Sequence, residues 1–351
     1  QTTATVLGGL FASERLRGRV AYHWGNMGLA PGWLSWAAFC MVFEHFVSGA
    51  CYPSGGTSVV ATEMVATLRA YGGEALVKAP VAKILLGRDG AASGVQLQDG
   101  TTVAAPLVIS DAGALNTYTK LLPPEAAPEE AEVIRGVGPS CQHFMVFVAL
   151  KGTKEQLDLR AQNYWITPDH NHDANATAYY ASNGKGQFPA VFVSFPSTKD
   201  PTWDTRFPGT STCHVIAEAP LAWFEKWEGT PIGHRGPDYD AFKATLEARL
   251  MGVVFDHFPR LRQAVAFTVA STALSTQHYL AAPAGESYGL THTPGRYGVP
   301  LDIRTPVEGV LLTGQDLVSC GVMGAFVGGV LTAIAADPRV ALRHWYPLLR
   351  L

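Results

Sequence analysis

The residues best suited to chemistry lie near the carboxyl end of the chain. A short apolar strand, Gly309 to Thr313, is followed by Gly314-Gln315-Asp316 and then by a helix that begins with small residues near Gly321. Backbone N–H groups at a helix start attract negative charge, and glycine permits the close approach of a planar ring. These features predict contact with a flavin, whose N1/O2 edge becomes negative on reduction. The predicted contacts are Gly314, Asp316, Gly321, Val322, Met323, Gly324 and Ala325.

In this interpretation Asp316 accepts hydrogen bonds from ribityl hydroxyls, and Gly324 leaves room for the ring. The same helix contains Gly324-x-x-x-Gly328, a pattern that also serves as a dimerisation face between membrane helices. Its apolar run ends at Asp337, after 16 residues, which is short of the roughly 20 that a membrane span needs. Flavin contact is therefore favoured, with the membrane span as the alternative.

The elements that must position this segment begin with a turn at Tyr52-Pro53-Ser54-Gly55-Gly56. A helix over about 57–71 follows, capped by Thr57 or Ser58, and then a short strand over 75–78. Three β-rich pieces (81–86, 93–97 and 101–104) are joined by Asp-Gly turns, and 106–110 is predicted as a buried strand. This order is typical of two-dinucleotide-binding flavoproteins, so the fold class is α/β, a Rossmann-like FAD-binding fold.

The middle of the chain has a different pattern. Strands are predicted at 142–150, 178–181, 190–195 and 213–219, and a long helix over 239–255 with Phe242, Leu246, Leu250 and Val254 on one face. They indicate an α+β antiparallel-sheet substrate domain, interleaved with the FAD-binding domain. The predicted divisions are 1–50 (helical part of the substrate domain), 51–115 (FAD-binding, with the meander), 116–305 (substrate-binding) and 306–351 (FAD-binding).

Composition excludes several classes of protein. Charged residues make up 16% of the 351, against about 25% in typical domains, and the net charge of −3 comes without a basic cluster, so we expect no nucleic acid as a partner. The five cysteines form no CxxC pair, which argues against a disulfide framework or a zinc site. The polar stretch Asp169-His170-Asn171-His172-Asp173 resembles a metal cluster, but a solvated loop is favoured and no metal is predicted. There is no GxSxG motif of a serine hydrolase.

Four segments together resemble a known family. They are Cys51–Gly56 (CYPSGG), Phe195–Gly209 (FPSTKDPTWDTRFPG), Tyr279–Gly289 (YLAAPAGESYG) and Thr313–Ala325 (TGQDLVSCGVMGA). The sequence is similar to the retinol saturase and carotenoid isomerase branch of the phytoene-desaturase-like flavoproteins. The likeness to the retinol saturases is greatest, and it extends from about Phe39 to Ala335.

The resemblance implies FAD as cofactor, with NAD or NADP as an electron donor. It implies that Val81 meets the adenine through its backbone and that Ser110, with Asp111-Ala112-Gly113, lies near the cofactor, as Gly55 and Gly56 do in the CYPSGG turn. The implied substrate is an apolar polyene, a retinoid or carotenoid, whose C=C bond is reduced. Such a substrate implies attachment to a membrane surface, at the endoplasmic reticulum or alternatively in a plastid.

The chain departs from the family in lacking the GxGxxG loop that cradles the pyrophosphate. Gly8-Gly9, Gly55-Gly56, Gly72-Gly73 and Gly328-Gly329 all have the wrong spacing. We therefore expect the strand–GxGxxG–helix unit to precede Gln1, so that the chain is N-terminally truncated and, as written, holds FAD poorly. A protein that has lost its cofactor is the alternative.

Reduction of a C=C bond needs a proton donor and a dry, apolar slot. The candidate proton donors are Glu44, His45 and Tyr52, with Tyr279 and Tyr288 as further candidates. The aromatic-rich stretch 33–46 is predicted to be a helix that lines the slot, lies in a membrane interface or is an ordinary core helix. Phe144, Phe147 and Trp223 are further candidates for the wall. Alternative functions are a flavin-dependent cis–trans isomerase, a carotenoid desaturase and a lipid-carrying scaffold.

Overall fold

The computed structural model describes residues 1–299 and 301–339. The chain divides into two compact units, each built from two stretches of sequence. The first unit contains Gln1–Ala75 and Cys141–Leu280, and the second contains Leu76–Ser140 and the chain from Ala281 onward.

The chain begins with four helices followed by four strands, and from residue 143 onward helices and strands largely alternate. The helices are α1 (Thr3–Leu10), α2 (Glu14–Val20), α3 (Trp36–His45), α4 (Ser58–Ala70), α5 (Ala114–Asn116), α6 (Pro128–Val137), α7 (Lys154–Leu157), α8 (His172–Ala181), α9 (Trp203–Arg206), α10 (Pro237–His257), α11 (Leu261–Ala264), α12 (Ala273–Leu280) and α13 (Gly321–Ala336). The strands are β1 (Val81–Leu86), β2 (Ala92–Leu97), β3 (Thr102–Ala104), β4 (Val108–Ser110), β5 (His143–Lys151), β6 (Asn163–Ile166), β7 (Val191–Ser194), β8 (Thr210–Glu218), β9 (Val265–Ser271) and β10 (Val310–Leu312).

The first unit is organised around a five-stranded antiparallel sheet with strand order β6-β7-β8-β5-β9. Side chains alternate between the two faces of a strand, and on β5 the residues 144, 146, 148 and 150 are all buried. They share a hydrophobic core with Leu246, Leu250 and Val254 of α10. The predicted helical face is thereby confirmed, with Phe242 packed at the edge of the core.

The second unit contains two small sheets. β1, β2 and β3 form an antiparallel meander, as the Asp-Gly turns predicted. β4 and β10 pair in parallel although they are about 200 residues apart in sequence, with Val310 opposite Val108 and Leu312 opposite Ser110. Ile84, Tyr118, Leu290 and Leu312 are among the side chains that form the core of this unit.

Two predicted strands are wrong. Residues 75–78 are not a strand, and Lys78 has a φ of 56°, which is incompatible with extended backbone. Residues 178–181 form the last turn of α8, whose start at Asn171 is capped because the Asn171 side chain accepts the N–H of Ala174. An aromatic pair in a short apolar run favoured a strand, whereas the polar cap upstream determines a helix.

The predicted domain divisions differ from the two units at three places. Residues 51–75 lie in the first unit, whereas 116–140 and 281–305 lie in the second. Helix α4 in the first unit lacks the predicted side-chain cap, since neither Thr57 nor Ser58 caps its N-terminus through its side chain. Its apolar face, which includes Met64 and Leu68, is exposed. No helix in the described part of the chain combines the length and the apolar character that crossing a membrane requires.

The stability of the first unit should depend on Leu250 of α10, because its side chain is fully buried in the core that α10 shares with the sheet. We expect Leu250→Ala to lower the free energy of unfolding by about 2–5 kcal/mol, measured by urea denaturation. Leu280→Ala is the matched control, since Leu280 is exposed, and should change it by less than about 0.5 kcal/mol. Equal effects at both positions would contradict this packing.

Candidate functional site

The parallel pair β4 and β10 brings two predicted cofactor segments to one edge of the second unit. Both strands end there, and the N–H of Thr313 continues the pairing by donating to the carbonyl of Ser110 (3.0 Å). Gly314 follows with a φ of 93°, and a Cβ at this position would lie 1.9 Å from Oδ1 of Asp111. Only glycine fits a backbone of this conformation so close to a carboxylate.

Asp316 connects three stretches of the second unit. Its Oδ2 accepts the N–H of Ala114 (2.7 Å), its Oδ1 accepts the N–H of Leu290 (2.8 Å), and its main-chain carbonyl accepts the guanidinium of Arg296. The residue is only 7% exposed. Each carboxylate oxygen is thus already paired with a backbone amide. Asp316 therefore holds the loops of its own unit in place, whereas the sequence predicted ribityl hydroxyls as the donors to this carboxylate.

The small residues of α13 face the chain itself. A Cβ on Gly324 would lie 1.6 Å from the carbonyl oxygen of Ser319, and one on Gly328 would lie 2.5 Å from that of Gly314. One turn further on, Thr332 donates to the carbonyl of Leu312 (2.8 Å). The space expected beside Gly324 for a ring is therefore filled by backbone, and the Gly-x-x-x-Gly pattern serves packing within the chain.

The first turn of α13 has an open side. Gly321 has a φ of 80°, and no atom lies within 4 Å of the position its Cβ would take. Val322 is 79% exposed and Met323 is also exposed, whereas Ala325 is half-buried. Cys320 does not cap the helix with its side chain, and the N–H of Gly321 donates to Oε1 of Gln315 (3.1 Å). This turn can receive a flat ligand.

The remaining predicted cofactor residues of the second unit differ in their availability. Val81 is exposed at the start of β1, where the pairing register shifts before Lys83. Ser110 is buried, and its hydroxyl is within hydrogen-bond distance of the hydroxyl of Thr117 (2.7 Å), so its side chain is used internally. The enclosure of Asp111 by protein and the negative charge of Asp316 raise the pKa of Asp111 above its ordinary value.

In the first unit Gly55 joins two of the four family-like segments. Its N–H donates to Oδ1 of the buried Asp200 (3.0 Å), which also accepts the N–H and the hydroxyl of Thr202 and pairs with Arg206. Burial alone would raise the pKa of Asp200, but these hydrogen bonds outweigh it and lower that pKa well below the ordinary value. Sequence reasoning missed Asp200, although both segments had been singled out.

Tyr52 lies close enough to the Asp200 cluster to be affected by it. Burial and the charge of Asp200 raise the pKa of the Tyr52 phenol. Gly56 has a φ of 94° with open space beside it, which suits the turn. Of the other proposed proton donors, Tyr279 is exposed, and Glu44 and His45 are exposed at the end of α3, where the His45 ring contacts its neighbour Phe46.

The five-stranded sheet has one face that the core does not cover. Its apolar side chains lie opposite the core and are partly or largely exposed; we call them the open face, and they are Met145 and Phe147 of β5, Ile216 of β8, and Phe267 and Val269 of β9. Phe147 is 46% exposed and stacks on the ring of His214 at 4.4 Å. Of the predicted wall residues, Phe147 is on this face, whereas Phe144 is in the core.

The open face ends in a buried polar group. Glu218 pairs with His143 across β8 and β5, and its Oε2 accepts the hydroxyl of Tyr180 from α8. Burial raises the pKa of Glu218 to about 7 and lowers the pKa of His143 to about 4. The sequence predicted the strands that contain His143 and Glu218 but did not identify their pairing, and it missed Tyr180 because residues 178–181 were predicted as a strand.

The histidine-rich stretch is an exposed loop over residues 169–171, as predicted, whereas His172 and Asp173 begin α8 and are covered. His172 is buried with its Nε2 2.9 Å from the carbonyl oxygen of Gly18, and Asp173 accepts the N–H of Gly32 (2.6 Å). Gly18 allows this contact, since a Cβ there would lie 2.3 Å from the carbonyl oxygen of His170. These contacts join α2 and the turn before α3 to the start of α8.

The fold is shared with known oxidoreductases. The structure superimposes on cyclohexylamine oxidase from Brevibacterium oxydans with a TM-score of 0.53 over 96% of this chain and 67% of that one, at 15% sequence identity. This likeness confirms the predicted α/β fold class. No protein-family model matches the sequence.

In sequence, the chain is similar to the all-trans-retinol 13,14-reductases. It is 35% identical over 347 residues to those of Rattus norvegicus and Homo sapiens, which covers 95% of this chain and 57% of each relative. The chain thus spans little more than half the length of these proteins. It is also 27% identical over 312 residues, 86% of the chain, to the chloroplastic prolycopene isomerase of Arabidopsis thaliana. The resemblance to the retinol saturases that the four segments indicated is confirmed.

The two adjacent glycines of α13 should respond to alanine in opposite directions. Gly328→Ala places a methyl group against the backbone of Gly314 and should destabilise the protein by about 1–3 kcal/mol. Gly329→Ala has open space and should stabilise it by up to about 1 kcal/mol, because alanine is the better helix former. Thermal unfolding of both variants measures the difference, and a stabilising Gly328→Ala would show that this face is not packed.

Asp200 should make stability depend on pH. Its pKa is lowered in the folded state, so its contribution is complete above the unfolded pKa of about 3.9 and is lost as the pH falls through the folded value. Asp200→Asn, which places an amide against Arg206, should cost about 1–3 kcal/mol at pH 7. The gap to the unmodified protein should narrow below about pH 4. Asp204→Asn, in an exposed ion pair, is the control and should have little effect; a gap independent of pH would refute this role of Asp200.

Proposed function

We propose that the protein containing this chain is an FAD-dependent oxidoreductase that reduces a C=C bond of a retinoid or related apocarotenoid. The observation that carries the proposal is the 35% identity to all-trans-retinol 13,14-reductases over 95% of the chain. The oxidoreductase fold of cyclohexylamine oxidase is consistent with it.

The second unit supports the cofactor part of the proposal. The open first turn of α13 and the exposed start of β1 at Val81 present backbone that a flat dinucleotide can approach. Gly321, Val322 and Met323 would meet the flavin, and FAD, when bound, would supply the hydride. NAD or NADP would reduce it. Gly324, Gly328 and Asp316 would contribute indirectly, by holding α13 and the neighbouring loops in position.

The open face supports the substrate part. A retinoid presents hydrocarbon along its length and a single hydroxyl at one end, so it is bound best by an apolar surface with few polar groups. Met145, Phe147, Ile216, Phe267 and Val269 provide such a surface on a rigid sheet. A polyene also partitions into bilayers, and we propose attachment to a membrane surface, at the endoplasmic reticulum, with a plastid as the alternative.

A carotenoid cis–trans isomerase is the second candidate function. Its support is the 27% identity to the prolycopene isomerase of Arabidopsis thaliana, which is lower and extends over less of the chain. Isomerisation leaves the mass of the polyene unchanged, whereas reduction adds two hydrogens, so the two functions are separable by the product.

The test uses the protein expressed from its whole gene, supplied with FAD and a reductant. Incubation with all-trans-retinol should give a product that mass spectrometry shows to be two hydrogens heavier than retinol. Incubation with prolycopene should give no product. An unchanged retinol together with conversion of prolycopene to an isomer of equal mass would replace the proposed function by the second one.

Substitution on the open face tests the substrate surface. Phe147→Ala removes exposed apolar area and should raise KM for the polyene by about 5–30-fold, which corresponds to about 1–2 kcal/mol of lost contact. Val103→Ala, at an exposed position of β3 in the second unit, is the control and should leave KM unchanged. If both variants have the KM of the unmodified enzyme, the polyene binds elsewhere.

A further inference from the structure

Three side chains with metal-binding atoms converge where β5 begins and β8 ends. His143 and Glu218 are directly opposite each other in the sheet, and Cys141 precedes His143 by two residues. One ligand atom from each residue lies within 4.8 Å of the other two, and the Cys141 Sγ is 3.5 Å from the His143 Nε2. A thiol, an imidazole and a carboxyl group thus share one small volume.

The carboxyl group of Glu218 is buried and only one of its two oxygens is hydrogen-bonded in the described part of the chain. The residue is 6% exposed, its Oε2 accepts the Tyr180 hydroxyl, and its Oε1 has no hydrogen-bond partner among residues 1–299 and 301–339. None of the salt bridges in this described part of the chain includes it. A buried carboxylate without a cation is costly, and an unpaired oxygen adds to the cost. A bound cation would remove both costs.

We propose that Cys141, His143 and Glu218 form a binding site for a zinc ion. A thiolate with an imidazole selects a borderline-soft metal such as Zn²⁺ over Mg²⁺ or Ca²⁺, which require oxygen ligands. Bond lengths of about 2.3 Å to sulfur and about 2.0 Å to nitrogen at a tetrahedral angle place the two ligand atoms roughly 3.5 Å apart. The Cys141–His143 separation has this value.

The surroundings of the three ligands suit a metal site. The Tyr180 hydroxyl orients the carboxyl group of Glu218, and the Tyr179 hydroxyl donates to the Glu218 main-chain carbonyl (2.8 Å), so α8 fixes the end of β8. Groups that orient the ligands in this way raise metal affinity. Three protein ligands leave the fourth position of the zinc ion for water or another small ligand. On binding, the thiol proton, and the carboxyl proton where present, are released to solvent.

The site is independent of the function proposed above, and its test requires no activity. The whole protein is stripped with a chelator, dialysed and titrated with Zn²⁺ by calorimetry. We expect one zinc ion per chain, with the affinity lowered at least ten-fold in Cys141→Ser and in Glu218→Gln. Cys51→Ser removes an exposed thiol elsewhere in the first unit and is the matched control, with unchanged affinity.

Cobalt binding tests directly whether the thiolate of Cys141 is a metal ligand. Co²⁺ bound in place of Zn²⁺ should show a sulfur-to-metal charge-transfer band that is absent in Cys141→Ser and present in Cys51→Ser and Glu218→Gln. Near-ultraviolet circular dichroism establishes that each variant is folded, and should Cys141→Ser fail to fold, the lowered affinity of Glu218→Gln still decides. Absence of stoichiometric zinc in the folded protein, or a cobalt band that survives Cys141→Ser, would overturn the proposal.

Discussion

The buried carboxylate of Asp316 holds together the second unit at the point where its strands end. Two backbone amides from distant parts of the chain, those of Ala114 and Leu290, donate to its two oxygens, and Arg296 donates to its carbonyl. Hydrogen bonds to a charged group are stronger than those between neutral groups, and the buried position keeps water from competing. The loop after β4, the segment before β10 and the start of α13 consequently have defined positions, and the open turn at Gly321 depends on them.

Helix α13 can lie against β10 only because it has small residues on its inner side. Gly324 and Gly328 touch backbone atoms, and Thr332 bonds to the carbonyl of Leu312, so that this side is fully used. Its opposite side, with Val322 and Met323, remains exposed. The same helix therefore serves two purposes, since one side secures it to the second unit and the other is available to a cofactor.

The sheet of the first unit divides its side chains in a similar way. Alternation along β5 and β8 places Val146, Val148 and Val215 against α10, whereas Phe147 and Ile216 belong to the open face. At the end of the sheet the alternation also places Glu218 and His143 side by side, under the cover of Tyr180. Strand register thus places the apolar surface and the Glu218–His143 pair on the same side of the sheet, and α8 covers that pair.

Local patterns in the sequence were sufficient for most of the elements. The α10 face, the meander with its Asp-Gly turns and the strands β5, β7, β8 and β10 could be predicted, because period and turn chemistry are local properties. The helix over 172–181 could not, because the side chain that caps it lies upstream of the short apolar run that favours a strand. The cover over His172 and Asp173 could not be predicted either, since nothing nearby in sequence indicates that Gly18 and Gly32 lie against them.

By itself, the sequence determined the fold class and the similarity to retinol 13,14-reductases, because these depend on residue identities in short runs. Only the tertiary structure decided what each side chain does. Gly324 packs against Ser319, Asp316 binds amides of its own chain, Asp200 holds Gly55, and Glu218 meets His143 and Cys141. Each of these contacts joins residues through loop or strand geometry, and hydrogen bonding and close packing depend on distances that residue order does not specify.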